Sequence, residues 1–172
     1  MAIDFVRIQY VKRSCGQNAC AKSAYISREK IHFQGNNFQT SKTYDWSYRE
    51  DVLYKEIILP KNVNVEFAKS EKLWNLSEAK ENRKNSQTAI EGVFALPDDL
   101  QVSLDDKIAL LKSFVQEHFV SKGLAAEIAI HPPDKKLELN PVTGEIENLS
   151  HNWHAHALFT TRRFKENGED LE

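Results

Sequence analysis

The sequence predicts an α+β fold in which an antiparallel β-sheet carries flanking helices. Three observations lead there. Short runs rich in Ile, Val, Phe and Tyr recur along the chain and are closed by glycine, proline or polar residues. Two longer segments space their apolar residues as helices do. The chain has 172 residues without repeats or a low-complexity linker, which fits a single domain over 1–172 with one ordinary core.

The elements follow in order. Ile3 to Val11 reads as a first strand, broken by Ser14-Cys15-Gly16. Asn18 to Glu29 reads as a short helix with Asn18 as its cap. Gln34 to Ser47 is polar and reads as a mobile loop, and Lys55 to Pro60 as a short strand closed by proline. Val65 to Lys84 sets Phe67, Leu73, Trp74 and Leu76 among charges, the pattern of an amphipathic helix. Thr88 to Leu96 is a strand ended by Pro97. Ser103 to Lys122 is the clearest helix: Ser103 precedes Asp105 and Asp106, Ile108, Leu111, Phe114, Val115 and Phe119 form one stripe, and Gly123 stops it. Ala125 to His131 and Trp153 to Thr161 are two more strands. Between them Pro132 to Asn152 is a polar excursion with turn signals. Lys165 to Glu172 is mostly acidic and is expected to fray.

Composition excludes several classes. The hydrophobic fraction of 41% is that of a globular chain. No apolar run approaches the roughly 20 residues of a membrane helix, and the first residues lack the basic flank and apolar core of a signal peptide. Cys15 and Cys20 read as reduced thiols of a cytoplasmic protein. The net charge of −2 argues mildly against nucleic acid. Yet Arg7, Lys12, Arg13, Lys22, Arg28 and Lys30 crowd the first thirty residues, enough for a locally basic single-strand groove.

The sharpest chemical signal is His151-Asn152-Trp153-His154-Ala155-His156. Strand side chains alternate, so His154 and His156 share a face. If their strand pairs antiparallel with the one ending in His131, three imidazoles meet and leave positions open for a ligand oxygen. The bland alternative is histidines buried in, or lying on, a sheet. His151 precedes the strand and is a weaker substitute. A second signal is Tyr25, which has small neighbours and Lys22 and Arg28 about one helical turn away, where both can approach a phosphate. From spacing alone, Tyr25 reads equally as a packing residue.

Several runs together resemble MobA/MobL-type conjugative relaxases, nearest the TraA branch of Ti-type plasmid transfer systems. They are Ala2-Ile3, Arg13-Ser14-x-Gly16-Gln17-x-Ala19-x-Ala21-Lys22-x-Ala24-Tyr25-Ile26-x-Arg28, the stretch from Tyr54 to Pro60, Leu73-Trp74-Asn75 with Glu78, Arg83 and Lys84, Phe94-Ala95-Leu96-Pro97, the histidines, and Thr160-Thr161-Arg162-Arg163. The resemblance implies a fold like that of the HUH endonucleases. It also implies a tyrosine-dependent nuclease that nicks one DNA strand at a transfer origin through a 5′-phosphotyrosyl intermediate. Carried over, Tyr25 matches the nucleophile, and His131, His154 and His156 match the ligands of one divalent ion, magnesium or manganese in the cell with zinc as the alternative. The implied partners are single-stranded DNA, accessory relaxosome proteins and a coupling protein. Trp46 and Tyr48 are candidate base-stacking residues, and Arg162 and Arg163 candidate phosphate contacts.

Two departures stand out. Relatives often show Glu-x-Glu before the Ala-Leu-Pro turn; here Glu91 keeps the first acid and Val93 replaces the second, so that Glu91 orients a metal-bound imidazole alone, or activity is weakened, or Glu91 is simply a solvated strand residue. The chain also ends just after Arg162-Arg163, where relaxases of this branch continue into helicase- or primase-like regions. A replication-initiator or transposase nuclease would place its tyrosine after the His-x-His strand, whereas Tyr25 precedes it. An inactive DNA-binding remnant and a zinc-stabilised structural domain complete the alternatives.

Overall fold

The computed structural model describes residues 6–97, 101–133, 137–148 and 153–172. Strand β1 (Val6–Lys12) runs into a 3₁₀ turn at Arg13–Cys15, and Gly16, with φ +72°, turns the chain into helix α1 (Ala19–Ser27). The expected start of the first strand at Ile3 lies outside the described residues. Strands β2 (Lys30–Phe33) and β3 (Lys42–Asp45) follow, then β4 (Tyr54–Ile58), α2 (Ser70–Lys80), β5 (Gln87–Ala95), α3 (Leu104–His118), β6 (Ala126–His131), β7 (Leu137–Leu139), β8 (Ile146–Asn148) and β9 (His154–Phe159). The main sheet is antiparallel with strand order β1-β5-β9-β6-β4. Both faces are covered. Helices α1 and α2 pack through Ala24, Leu73 and Trp74 with Val11, Ala129 and Leu158 on one face. Helix α3 packs through Leu111 and Val115 with Ile128, Ile130 and Phe159 on the other.

Local chemistry accounts for the helix starts. The Asn18 side chain accepts the Ala21 N–H at 2.7 Å, as its cap position predicts. Ser103 and Asp106 form a reciprocal capping box at the head of α3. Val65 to Lys84, however, is not one helix. A 3₁₀ turn at Val65–Ala68, capped by Asn64, precedes an extended Lys69, and α2 ends at Lys80. Arg13 explains the early end. Its guanidinium donates to the Glu78, Glu81 and Arg83 carbonyls and pairs with the Glu78 carboxylate at 2.9 Å, both side chains being almost fully buried. The carbonyls of the last helical turn therefore bond across to β1's end.

The segment Gln34 to Ser47 is not a simple loop. Ile31 and Phe33 point inward from β2, and Lys42–Asp45 pairs with it as β3. The connecting turn is held by Asn36, whose side chain accepts the Phe38 and Gln39 N–H groups at 2.9 Å. The excursion after β6 contains the β7–β8 hairpin and returns beside its starting strand. The C-terminal residues, expected to fray, fold back instead. Phe164 bridges Leu171, Leu171 is 1% exposed, and Asp170 pairs with Lys80 and Lys165. Gly168, at φ +69°, lies so close to Asn62 that a Cβ there would stand 1.9 Å from its carbonyl oxygen.

Candidate metal centre

Strand β9 lies between β5 and β6, and its register assembles the histidines. His154 pairs directly with His131, and His156 pairs with Ala129 on one side and Val93 on the other. Directly opposed residues of an antiparallel pair share a face, so all three imidazoles project toward α1. Their ring centroids are 4.9–5.4 Å apart, and one ligand nitrogen from each lies within 4.8 Å of the others. His151, the weaker substitute, lies outside the described residues.

A backbone carbonyl assigns the free nitrogen of His131. His131 Nε2 lies 2.8 Å from the Ile26 carbonyl oxygen, so that nitrogen is the donor and Nδ1 remains for an ion. His156 Nδ1 faces Glu91 Oε1 at 3.6 Å. That is too long for a hydrogen bond and leaves this buried nitrogen without a partner, while its carboxylate neighbour stands ready to orient the ring. Burial lowers the His131 imidazole to about 4, opposed by the Ile26 carbonyl and reinforced by His156, Arg28 and His154. Burial likewise lowers His156, opposed by Glu91. Both rings are therefore neutral at pH 7, as ligation requires. Three imidazole nitrogens in mutual reach can hold one divalent ion and leave coordination sites for substrate oxygens.

Glu91 sits on β5 on the same face, 1% exposed. Burial pushes its carboxyl up, but His156, Gln9 and Lys22 outweigh that and bring it to about 2. Lys22 Nζ holds its other oxygen at 2.9 Å, and Gln9 donates to the same oxygen. Val93 stands directly across from His156, so the missing second acid would have been the closer of the two.

Helix α1 delivers Tyr25 to this centre. Its half-buried ring lies edge-on to His156, with centroids 6.2 Å apart, and edge-on to Trp46 at 5.2 Å. Trp46 stacks on Tyr48, which is 72% exposed. Tyr25, Glu91, Lys22 and the three histidines thus form one constellation, bordered at Tyr25 by Trp46 and, beyond it, the exposed Tyr48.

The expected cationic contacts separate into two kinds. Lys22 is partly exposed beside Glu91. Arg28 is not available to a phosphate: it is 6% exposed, caps α1 with φ +55°, and forks onto Asp51 at 2.8 and 3.0 Å. Spacing placed it one turn from Tyr25 correctly, but the fork turns it inward. Arg162 and Arg163 follow the far end of β9, away from His154. Arg162 pairs with Glu81 and the Glu172 carbonyl, and Arg163 lies over Gly123. Neither joins the site.

Sequence reasoning passed over Gln9, Asp51 and Glu127. Glu127 is buried on the histidine-bearing face and accepts from Ser23, Ser70 and Trp74; burial, against those three donors, pushes its carboxyl up to about 7. Nothing in the local pattern marks these residues, because their partners lie 53 to 104 positions away for Glu127 and 82 for Gln9.

The model of the MobA/MobL family matches residues 17–171. The conjugal transfer protein TraA of Rhizobium radiobacter is 30% identical over 142 residues, covering 76% of this chain and 12% of that protein. The probable mobilization protein MobA of Bifidobacterium longum is 28% identical over 163 residues, covering 95% of this chain and 25% of that protein. The chain thus spans a quarter or less of these relatives. A solved structure, described as the molecular basis of vancomycin resistance transfer in Staphylococcus aureus, superposes with a TM-score of 0.78 at 31% identity, covering 99% of this chain and 76% of that one.

Proposed function

The chain belongs to the MobA/MobL family, and on that premise we propose that it nicks one strand of single-stranded DNA at a plasmid transfer origin, with Tyr25 as nucleophile and His131, His154 and His156 as ligands of one divalent ion. The observation that carries this reading is the meeting of Tyr25 with His156, ring to ring, beside three imidazoles able to share an ion. Tyr25 comes from α1 and the histidines from two neighbouring strands, so the sheet register and the helix position support the same site independently.

The ion would draw charge from the scissile phosphate. Its all-imidazole donor set suits a transition metal more than magnesium, unless phosphate and water oxygens complete the shell. The chain's own residues do the rest. The Tyr25 Oη–P bond forms as the P–O3′ bond breaks, and the phenol's proton ends on the departing 3′ oxygen. The products are a 5′-phosphotyrosyl strand and a free 3′-hydroxyl. One phosphoester replaces another, so the step is reversible and needs no ATP. Glu91 orients His156, and Lys22 offers a cation at the phosphate's approach. Trp46 and Tyr48 offer faces on which bases next to the nick stack. Accessory relaxosome proteins, a coupling protein and a cytoplasmic setting follow from the same reading.

Val93 opposite His156 favours one competing reading, an inactive DNA-binding remnant. Single-stranded oligonucleotides tiled across the transfer region, incubated with manganese, separate the two. The expected result is a cut strand covalently attached to Tyr25, identified by mass spectrometry of the peptide adduct. Tyr25→Phe keeps the ring and should bind the oligonucleotide without cutting it. An adduct on Tyr44 or Tyr48, or full cutting by Tyr25→Phe, refutes the assignment.

A further inference from the structure

Asp51 has no role in the reading above, yet it governs what lies beneath the Tyr25 ring. Arg28 stands under that ring, with its guanidinium carbon 4.6 Å from the ring centroid. The same guanidinium donates to the Tyr25 carbonyl through Nη1. Its remaining donors, Nε and Nη2, fork onto the Asp51 carboxylate at 2.8 and 3.0 Å. The Arg28 side chain is 3% exposed, so this plate cannot swing into solvent. A bidentate fork fixes a guanidinium in plane and direction, which a single contact does not.

Asp51 also ends the turn that carries the aromatic platform. The Trp46 N–H bonds the Glu29 carbonyl at 3.2 Å, the Arg49 N–H bonds the Trp46 carbonyl at 3.0 Å, and Arg49 pairs with Asp51 from the solvent side. One carboxylate therefore ties the 46–51 turn to the plate under Tyr25. Trp46 bounds that ring edge-on from the turn itself, and His156 bounds it from the metal centre.

We propose that Asp51 is a positioning residue for the Tyr25 phenol, acting through Arg28, and that it couples the placement of the Trp46–Tyr48 platform to the placement of the nucleophile. The proposal rests on Tyr25 being the nucleophile. Without the carboxylate, Arg28 loses its fork and the ring loses its fixed floor. Misplacement of a reacting atom by about 1 Å costs on the order of 100-fold in rate. Oligonucleotide binding is spread over many contacts and changes little.

The test compares wild type, Asp51→Asn, Asp51→Glu and Tyr25→Phe on the oligonucleotide that the wild type cuts. Three quantities are read: single-turnover cutting rate at saturating DNA, affinity by fluorescence anisotropy, and the Tyr25 ring signals in ring-labelled protein, assigned by their loss in Tyr25→Phe. Asp51→Asn keeps the shape and one acceptor, so folding is checked by its thermal melt, and rates are taken well below the transition. The expected result is a rate lowered about 100-fold, affinity held within about threefold, displaced Tyr25 ring signals, and partial recovery of both rate and signals in Asp51→Glu. Unmoved ring signals, a wild-type rate in Asp51→Asn, or equal losses of rate and affinity would each overturn the proposal. Full cutting by Tyr25→Phe would instead overturn the nucleophile assignment, with the ring signals still reporting whether Asp51 holds Tyr25 in place.

Discussion

Replacing Glu91 with glutamine separates its charge from its shape. The carboxylate is buried, faces His156 Nδ1 at 3.6 Å and holds Lys22 at 2.9 Å. Two magnitudes follow. A carboxylate that orients a metal-bound imidazole is worth about 10- to 100-fold in metal affinity, about 1.4–2.7 kcal/mol. The carboxyl is also held at about 2 instead of its ordinary 4.5, and at 1.36 kcal/mol for each tenfold that difference is worth about 3 kcal/mol at neutral pH. Because the folded value is the lower one, this stability is present above pH 4.5 and is lost as pH falls through 2. Calorimetric titration of Glu91→Gln with manganese should therefore show affinity down about 10- to 100-fold. Urea melts in metal-free buffer should show the wild type's advantage over the variant shrinking by about 3 kcal/mol between neutral pH and pH 2. Affinity within about twofold of wild type, together with a stability difference independent of pH, would refute the role given to this carboxylate.

Three further outcomes follow from the same site and its frame. Val93→Glu places a second carboxylate opposite His156 and should tighten manganese binding by about tenfold while lowering metal-free stability by about 1–3 kcal/mol; unchanged calorimetric affinity would show that this position does not act on the ion. Burial lowers His131 to about 4 and lowers His156, so in the metal-free protein the His131 ring signals should barely titrate between about pH 7 and about pH 5.5, and a midpoint at the ordinary imidazole value of about 6.5 would contradict the buried geometry. In the metal-free protein the same lowered values contribute stability that is present above the ordinary histidine value and is lost as pH falls toward 4. Leu171→Ala should destabilise the fold by about 2–5 kcal/mol in urea melts; a loss below about 1 kcal/mol would mean that the folded-back tail is not part of the core.

Much of the centre is written in short-range patterns. The alternation of His154 and His156, the strand ending in His131, the Asn18 cap and the Ser103 start are local signals, and the structure realises each of them. What the sequence hides depends on distant partners. Lys42-Thr43-Tyr44-Asp45 is polar enough to pass for loop, and becomes a strand only because Lys30–Phe33 offers an edge. Leu171 is one apolar residue in an acidic tail, and its burial depends on Phe164 and Phe67 waiting beside it. Arg28 reads as a surface cation until Asp51, 23 residues on, turns it inward. Glu127 sits in the run Ala126–His131 where one face of a half-exposed strand would meet water, but helices cover both faces of this sheet.

The placement of β9 has a thermodynamic consequence. Its neighbours bond it on both edges, so the backbone bearing His154 and His156 is ordered by the whole sheet and not by a ligand. The entropy of bringing three imidazoles together is lost once, during folding, and an arriving ion meets no such cost. Amide hydrogen exchange along His154–Phe159 should then be among the slowest in the chain and nearly the same with or without metal. If these imidazoles hold an ion as proposed, the centre would release one ion and accept another within the lifetime of a single folded molecule, without passing through a loosened state.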